Sequence, residues 1–462
     1  MAPYAAETMN HAALDKLLQK AGKAFERSAP NEALEHLFRA LKLAPGNALI
    51  LMRIGIALHL LQRTFDAEQY YLKAIRNSRT LGEAHNNLGK LYLETDKNSE
   101  AAEAFRQAAA LLPHSPLPAS ALATALQRMN RIHDAEEICR VAISKFPGFA
   151  EPHHTLASLL LIQGRYREGW QEYEWRWETN RPPFTKRRFS MAAWHGEEIP
   201  GKRLLVHAEQ GLGDTIQFSR FIPLVASASR AHLTIECHPS LHPVITTVHS
   251  GLKLASMVPS DSPFDYQVSL VSLAGILGIT KQNVPSSDKY LHVPLTFSES
   301  WQALFDNDNV RLKVGVCWSG NKYPDPGRSC PDEIIRELFT CEHVTFYPLR
   351  PGTSLQPGMS NTRNLTSRIQ GFDDTAGLIE QMDLVISIDT SVAHLAGALG
   401  KPTWVMLPYA PDWRWGLDGD TTPWYNSMRL FRQQKQSDWH GLVCQVKESL
   451  TEFAKSNDFQ SG

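Results

Sequence analysis

Small and apolar positions recur every 34 residues through the first 180 residues of the chain. Ala21, Gly55, Gly89, Ala123 and Ala157 stand 34 apart, and a second small position follows 12 later at Ala33, Ala67, Ala101, Ala135 and Gly169. Four residues further on comes a larger side chain, Leu37, Tyr71, Phe105, Cys139 or Tyr173, and then Ala40, Ala74, Ala108 and Ala142. This spacing predicts five helical hairpins, in which small residues let paired helices approach and the larger one fills the gap between units. Proline closes three of the units at Pro45, Pro113 and Pro147, where a fixed φ and a missing N–H stop the second helix; Arg79 holds the fourth such place. One hairpin cannot bury its apolar face, whereas a stack buries a continuous core and leaves a curved groove. That groove suits a peptide, or the stack serves only as a spacer or a dimerisation surface.

The pattern shifts near residues 180–200. Trp170, Tyr173, Trp175 and Trp177 bunch in EGWQEYEWRWETNRPPF before Pro182 and Pro183 end the helix. They form either a ligand platform or, more simply, the apolar seal of a capping repeat. Beyond lie LLVHAEQGLGDTIQFSRFIPLVA, HLTIECHP and FDYQVSL, then VRLKVGVCWSG, VTFYPL, FDDTAGLIEQM, DLVISI, TSVAHLAGALG and PTWVML. Apolar strands alternating with helical patterns predict parallel, doubly wound sheets. The expected organisation is repeats over 14–180, one α/β lobe over 195–305 and a second over 310–455.

Composition narrows the class. At 43% apolar and 21% charged over 462 residues, the chain is an ordinary folded protein of more than one domain. Lys plus Arg number 47 against 48 for Asp plus Glu, so no global field attracts nucleic acid or an anionic membrane. No window approaches the roughly 18 consecutive apolar residues of a membrane span, and the N-terminus lacks a signal-peptide pattern. Six sparse cysteines without a C-x-x-C pair fit a reducing compartment, and the expected location is the cytoplasm.

Candidate chemistry sits at strand ends, where open α/β sheets bind ligands. In the first lobe Gly211-Leu-Gly213-Asp214 is too short for a dinucleotide fingerprint, and its glycines let a ligand or the opposite lobe approach the backbone. Asp214 faces the cleft or caps the following helix. In the second lobe an apolar strand runs directly into Asp389-Thr390-Ser391-Val392, where free amides and hydroxyls at a helix start can seat phosphate oxygens. His394 lies near one turn later and either joins that site or is structural. The aromatics Tyr409, Trp413, Trp415, Trp424 and Tyr425, with Asp412 and Arg414 among them, form either a stacking surface for a base or sugar or a packed loop. The cleft strands carry no D-x-D triad and the chain no H-E-x-x-H or clustered Cys/His ligands, so no metal is expected.

These motifs resemble known families. The repeat resembles the tetratricopeptide repeat (TPR). GLGDTIQFSRFIP, which includes Gln217, and DTSVAHLAGALGKPTWVMLP resemble the two lobe motifs of heptosyltransferase-like enzymes of glycosyltransferase family 9. Trp318-Ser319-Gly320-Asn321 and Pro411-Asp412-Trp413-Arg414-Trp415 resemble segments of bacterial proteins that fuse such a domain to TPRs. The resemblance implies a TPR solenoid followed by a GT-B fold of two Rossmann-like lobes, similar in plan to O-linked N-acetylglucosamine transferases. It implies Asp214 as acceptor-side base, and Asp389, Thr390 and His394 against the donor sugar or its diphosphate. The family's lysine after the WSG-type turn has two rival counterparts here, Lys322 and Arg328.

The expected function is metal-independent, inverting transfer from a nucleotide-sugar to an acceptor hydroxyl, with no further cofactor. The acceptor is expected on a protein recruited by the groove. An inactive scaffold that binds protein partners, and a transferase acting on a lipid-linked or oligosaccharide acceptor, are the alternatives. A homo-oligomer is compatible with the sequence, and a nucleic-acid partner or an integral membrane segment is not expected.

Overall fold

A computed structural model of the chain describes residues 2–179, 184, 186–285, 289–305, 312–321, 326–353 and 361–458. It divides into two compact units, Met1–Thr155 and Leu156–Gly462.

The first unit consists of helices α1 (Ala2–Glu26), α2 (Pro30–Leu43), α3 (Ala48–Leu60), α4 (Thr64–Asn77), α5 (Gly82–Glu94), α6 (Asn98–Leu111), α7 (Leu117–Arg128), α8 (Ile132–Lys145) and the start of α9 (Ala150–Ile162). They pair as the period requires. Ala21, Ala33, Ala67, Ala101, Ala123 and Ala135 are all fully buried. The larger residue of each repeat packs within its own hairpin: a Cβ at Gly55 would stand 2.6 Å from the Tyr71 ring, and one at Gly89 2.7 Å from Phe105. Each turn inside a hairpin passes through one left-handed residue, Ser28, Gln62, Asp96 and Asn130, with φ of 54°, 60°, 59° and 57°. The next amide then bonds back to the helix, as in Arg63 N–H to Leu58 C=O at 2.9 Å and Lys97 N–H to Tyr92 C=O at 2.8 Å, which satisfies carbonyls the helix end leaves open.

The Gly55–Tyr71 contact sets a stability prediction. Gly55→Leu gains helix propensity but drives its side chain into the ring, and overpacking of this kind outweighs propensity for a net loss of about 2 kcal/mol. Urea unfolding checks this, and an unchanged midpoint would contradict it.

The second unit begins within α9 and continues through α10 (Tyr166–Tyr173) and a 3-10 turn, Glu174–Glu178. The first sheet follows, with β1 (Ala192–Ala193), β2 (Arg203–His207), α11 (Leu212–Ser219), α12 (Ile222–Ser229), β3 (His232–Glu236), α13 (His242–Ile245), β4 (Lys253–Ala255), β5 (Tyr266–Ser269) and α14 (Leu273–Ile276). After α15 (Leu295–Gln302) comes the second sheet: β6 (Leu312–Cys317), α16 (Asp332–Ile335), β7 (Val344–Pro348), α17 (Phe372–Glu380), β8 (Leu384–Ile388), α18 (Ser391–Ala398), β9 (Thr403–Leu407), β10 (Met428–Arg432) and α19 (Trp439–Asp458).

Both sheets are parallel, in the orders β1-β5-β2-β3-β4 and β10-β9-β8-β6-β7. Parallel strands are covered on both faces, and their sequences accordingly read as near-continuous apolar runs: all of β8 and β9 is buried. Strand order reverses between β2 and β5 in the first sheet and between β6 and β8 in the second, and the crevice at the carboxyl ends of such strands is where open α/β sheets take ligands.

The aromatic run at the end of the repeats packs within this second unit. Trp170 meets Trp413 edge-on at 5.3 Å and donates its indole N–H to Ile279 C=O at 3.0 Å. Arg176 is fully buried, donates to Glu209 Oε1 at 2.9 Å and Ser272 Oγ at 2.7 Å, and stacks over Trp177 at 4.5 Å. These contacts place the end of the repeat pattern in the α/β unit.

Candidate functional site

Four of the expected residues meet at one guanidinium. Arg414, in a 3-10 turn opened by Asp412 after β9, donates Nε to Gln217 Oε1 at 2.5 Å and NH1 to Asp412 Oδ1 at 2.7 Å, and its NH2 is bonded to Asp214 Oδ1. Gln217 and Asp214 both lie on α11, so this hub ties the first lobe to the second. Asp214 Oδ2 accepts the N–H of Gly211, the N-cap of α11, at 2.9 Å. The capping role is therefore realised together with the ion pair. Burial opposes charge on Arg414, but Asp412 and Asp214 outweigh it and hold the guanidinium protonated. Burial pushes the Asp214 carboxyl up, against the pull of Arg414.

Gly213 stands at the same seam. A Cβ there would lie 2.8 Å from His394 Cδ2 and 3.5 Å from Ser391 Cα, so the glycine admits the opposite lobe to the α11 backbone. His394, on α18, is buried, stacks on Trp415 at 5.5 Å, and shares a 2.9 Å hydrogen bond between Nδ1 and the Tyr425 hydroxyl. Its Nε2 is 3.7 Å from Asp389 Oδ1. Burial, reinforced by the cations Arg414 and Arg220, pushes His394 well below its ordinary value, so it is neutral at pH 7. Burial and the charge of Asp412 push Asp389 up to about 6.

The second switch point gathers a different set. Thr390 is the N-cap residue of α18, yet its side chain does not cap the helix; its hydroxyl turns to Ser387 Oγ at 3.1 Å. Beside it the turn after β6 carries Ser319, which accepts from Arg350 NH1 at 2.8 Å, and Gly320, where a Cβ would stand 3.3 Å from Arg328 Nε and 3.4 Å from Thr390 Cγ2. Arg328 NH2 donates to Asn321 C=O at 3.1 Å. Two guanidinium groups thus border a helix start whose amides receive no cap from Thr390, an arrangement that favours an anion. Lys322, the rival of Arg328, lies outside the described residues.

Several other expected residues are buried. Trp318 is buried in the second-lobe core, packs edge-on against Phe339 at 5.7 Å and donates to Asp332 Oδ1 at 2.7 Å. Trp413, Trp415, Trp424 and Tyr425 are buried too, Trp415 and Tyr425 against His394 and Trp413 beneath Arg414. Val392 is buried, leaving its backbone as the relevant part. Sequence reading missed Arg350 and Arg220. Arg220 is 3% exposed and sandwiched between the Tyr290 and Tyr425 rings at 4.6 and 4.8 Å, with no hydrogen-bond partner for its guanidinium among the described residues. Away from these groups, Glu337, His440 and Cys444 bring potential metal-ligand atoms within 4.8 Å. The exposed His440 is already bonded to Glu337 at 2.9 Å, which accounts for the grouping without an ion.

His207, which ends β2, carries a pH prediction. Burial holds it down to about 4 from its ordinary 6.5, against a hydrogen bond with Gln267. The unfolded imidazole takes a proton first, so His207 contributes stability above pH 6.5 that is lost as the pH falls through 6.5 toward 4. The raised carboxyls of Asp214 and Asp389 act in the opposite sense, so the prediction is a difference. Between about pH 7 and pH 4.5, His207→Gln should lose less stability in urea unfolding than the wild type, and equal losses would contradict it.

Comparison with known proteins bears on the repeats. Tetratricopeptide-repeat profiles match residues 13–81 and 82–115. The chain is similar to Protein FlbA of Caulobacter vibrioides, 26% identical over 328 residues, covering 65% of this chain and 55% of FlbA. It thus spans about half the length of that relative. Among solved structures it is similar to MamA (20% identity, 36% of this chain and 91% of that one, TM-score 0.33) and to pilF of Pseudomonas aeruginosa (19%, 37% and 78%, TM-score 0.35). A third is YrrB, described as a TPR protein with an unusual peptide-binding site (14%, 36% and 84%, TM-score 0.31). No described helix is long and apolar enough to cross a membrane. The chain carries tetratricopeptide repeats, which the profiles place within residues 13–115, followed by a region with two parallel sheets.

Proposed function

We propose that the α/β unit transfers a glycosyl group from a nucleotide-sugar to an acceptor hydroxyl, and that the repeats recruit a protein bearing that hydroxyl. The observation that supports this best is the second switch point, where the start of α18, the Ser319–Gly320 turn, Arg328 and Arg350 converge. A diphosphate seated there meets amide donors from Ser391 and Val392 and two cations, and the neutral His394 faces the same seam. In the transfer, Asp214 takes the acceptor's proton as its oxygen bonds to the anomeric carbon and the bond to the diphosphate breaks, with inversion. A positioned carboxylate base contributes about 10²- to 10⁴-fold, and donors aimed at the leaving diphosphate stabilise its growing charge. The acceptor is a protein made and modified in the cytoplasm, since a concave repeat surface is suited to holding an extended partner.

One observation favours a second reading, a non-catalytic scaffold. Both oxygens of Asp214 are already engaged, by Arg414 and by the Gly211 N–H, which lowers the availability of this carboxylate as a base.

The discriminating experiment incubates the full chain with UDP-, GDP-, ADP- and dTDP-sugars and measures release of the nucleoside diphosphate. Release that falls in both Arg350→Ala and Arg328→Ala supports transfer. Nucleotide binding without release, unaltered by added cell protein, supports the scaffold.

A further inference from the structure

Away from the seam, a cavity of 540 Å³ opens in the first lobe, a volume typical of small-ligand sites. His207 and Ser269, the last residues of β2 and β5, line it, so it lies at the first sheet's own switch point. Its aromatic walls are Trp170 of α10, Trp177 of the following 3-10 turn, Trp194 just beyond β1, and Phe189, whose ring centre is 4.9 Å from that of His207.

The polar groups on the cavity wall are mostly neutral or already paired. His207 Nε2 is 3.0 Å from Gln267 Oε1, and since an amide oxygen only accepts, Nε2 carries the hydrogen. His207 is thereby left with Nδ1 as an acceptor and Gln267 with an NH₂ donor. Among the described residues no protein group takes up either. Glu174 Oε1 accepts from Arg176 at 2.8 Å and from Ser272 Oγ at 2.8 Å. Of the cations that line the cavity, Lys186 is paired with Glu178 at 2.6 Å and Arg187 with Glu236, while the exposed Arg167 has no ion pair among the described residues.

Each ligand class meets these walls differently. A phosphate finds Lys186 and Arg187 already neutralised and only Arg167, exposed at the solvent edge, to meet its charge. A purely apolar ligand leaves the His207 acceptor and the Gln267 donor without partners, at a desolvation cost. A pyranose has a C–H face that lies against an indole, and hydroxyls that both donate and accept. We infer that this cavity is a saccharide-binding site, in which the partly exposed indole of Trp177 holds the ring and the His207–Gln267 pair bonds its hydroxyls. The inference rests on the cavity alone and does not require the transfer reaction proposed for the seam.

The test is saturation-transfer NMR on the full chain with glucose, N-acetylglucosamine, cellobiose and chitobiose, each at millimolar concentration. At least one should receive saturation, and Trp177→Ala and Gln267→Leu should each weaken its binding about tenfold, the scale of one stacked ring or one hydrogen bond. Trp177 is partly exposed, and a thermal melt of each variant confirms the fold. Arg350→Ala should leave the saccharide signal unchanged and reduce nucleoside diphosphate binding, so failure of this site and failure of the donor site register separately. No signal from any of the four sugars, or a signal that survives both cavity substitutions, would overturn the inference.

Discussion

Replacing Arg414 by alanine is expected to destabilise the α/β unit by about 3 kcal/mol, the lower end of the range for breaking a buried ion pair. The guanidinium is 9% exposed and bonds Asp214 and Asp412, whose side chains are 21% and 37% exposed. Removing it strands two carboxylates beside Asp389 and leaves the buried Gln217 carbonyl without its donor. The lower end applies because Asp412 keeps more than a third of its surface in water. Arg414→Lys should recover only part of the loss, since an ammonium cannot span three acceptors in the guanidinium's planar geometry. Urea unfolding followed by tryptophan fluorescence reports this unit directly. A loss under about 1 kcal/mol would mean that the hub does not hold the lobes.

The second large effect concerns chemistry. In the transfer reading, Asp214→Asn should lower kcat by about 10²- to 10⁴-fold while leaving affinity for nucleoside diphosphate in place. Asparagine keeps the shape and one acceptor, so the cap at Gly211 can persist. Measuring kcat and nucleotide affinity on the same preparation separates loss of a base from loss of the fold. Asp389→Asn is the paired variant: Asp389 is pushed up to about 6 and stands 3.7 Å from His394 Nε2. If Asp214→Asn retains its rate while Asp389→Asn loses it, the acceptor proton goes to Asp389.

The repeats were legible because sterics at a helix crossing select residue size at a fixed spacing. Gly55 and Gly89 had to be small against Tyr71 and Phe105. The left-handed turn residue was not legible, although it too recurs every 34 residues at Ser28, Gln62, Asp96, Asn130 and Gly164. Backbone conformation leaves no common side chain there: Gly164, Asn130 and Asp96 are types that enter the left-handed region readily, whereas Ser28 and Gln62 are not.

At the site, Asp389 and Thr390 could be singled out because they directly follow an apolar strand, and Asp214 and His394 because they lie in the first turns of the helix after such a strand. Their partners could not. Arg414 and Asp214 are 200 residues apart, and no local pattern links them. Arg350, Arg176 and Arg220 are isolated basic residues in sequence, indistinguishable there from solvated ones; only folding buries Arg176 and Arg220 and turns Arg350 onto Ser319. Trp318 and Trp413 show that the residue type alone does not separate the two roles. A tryptophan near a strand end can present its ring to a ligand or spend its large apolar area on packing, and both of these are buried.

The most direct test of the central claim is calorimetric titration of UDP, GDP, ADP and dTDP into the full chain and into Arg350→Ala. The account predicts that one of the four binds, and that Arg350→Ala weakens it by about 1.5–3 kcal/mol, the range for a hydrogen bond to a charged group. Absence of binding by all four, or binding indifferent to Arg350, would contradict a diphosphate seat at the start of α18.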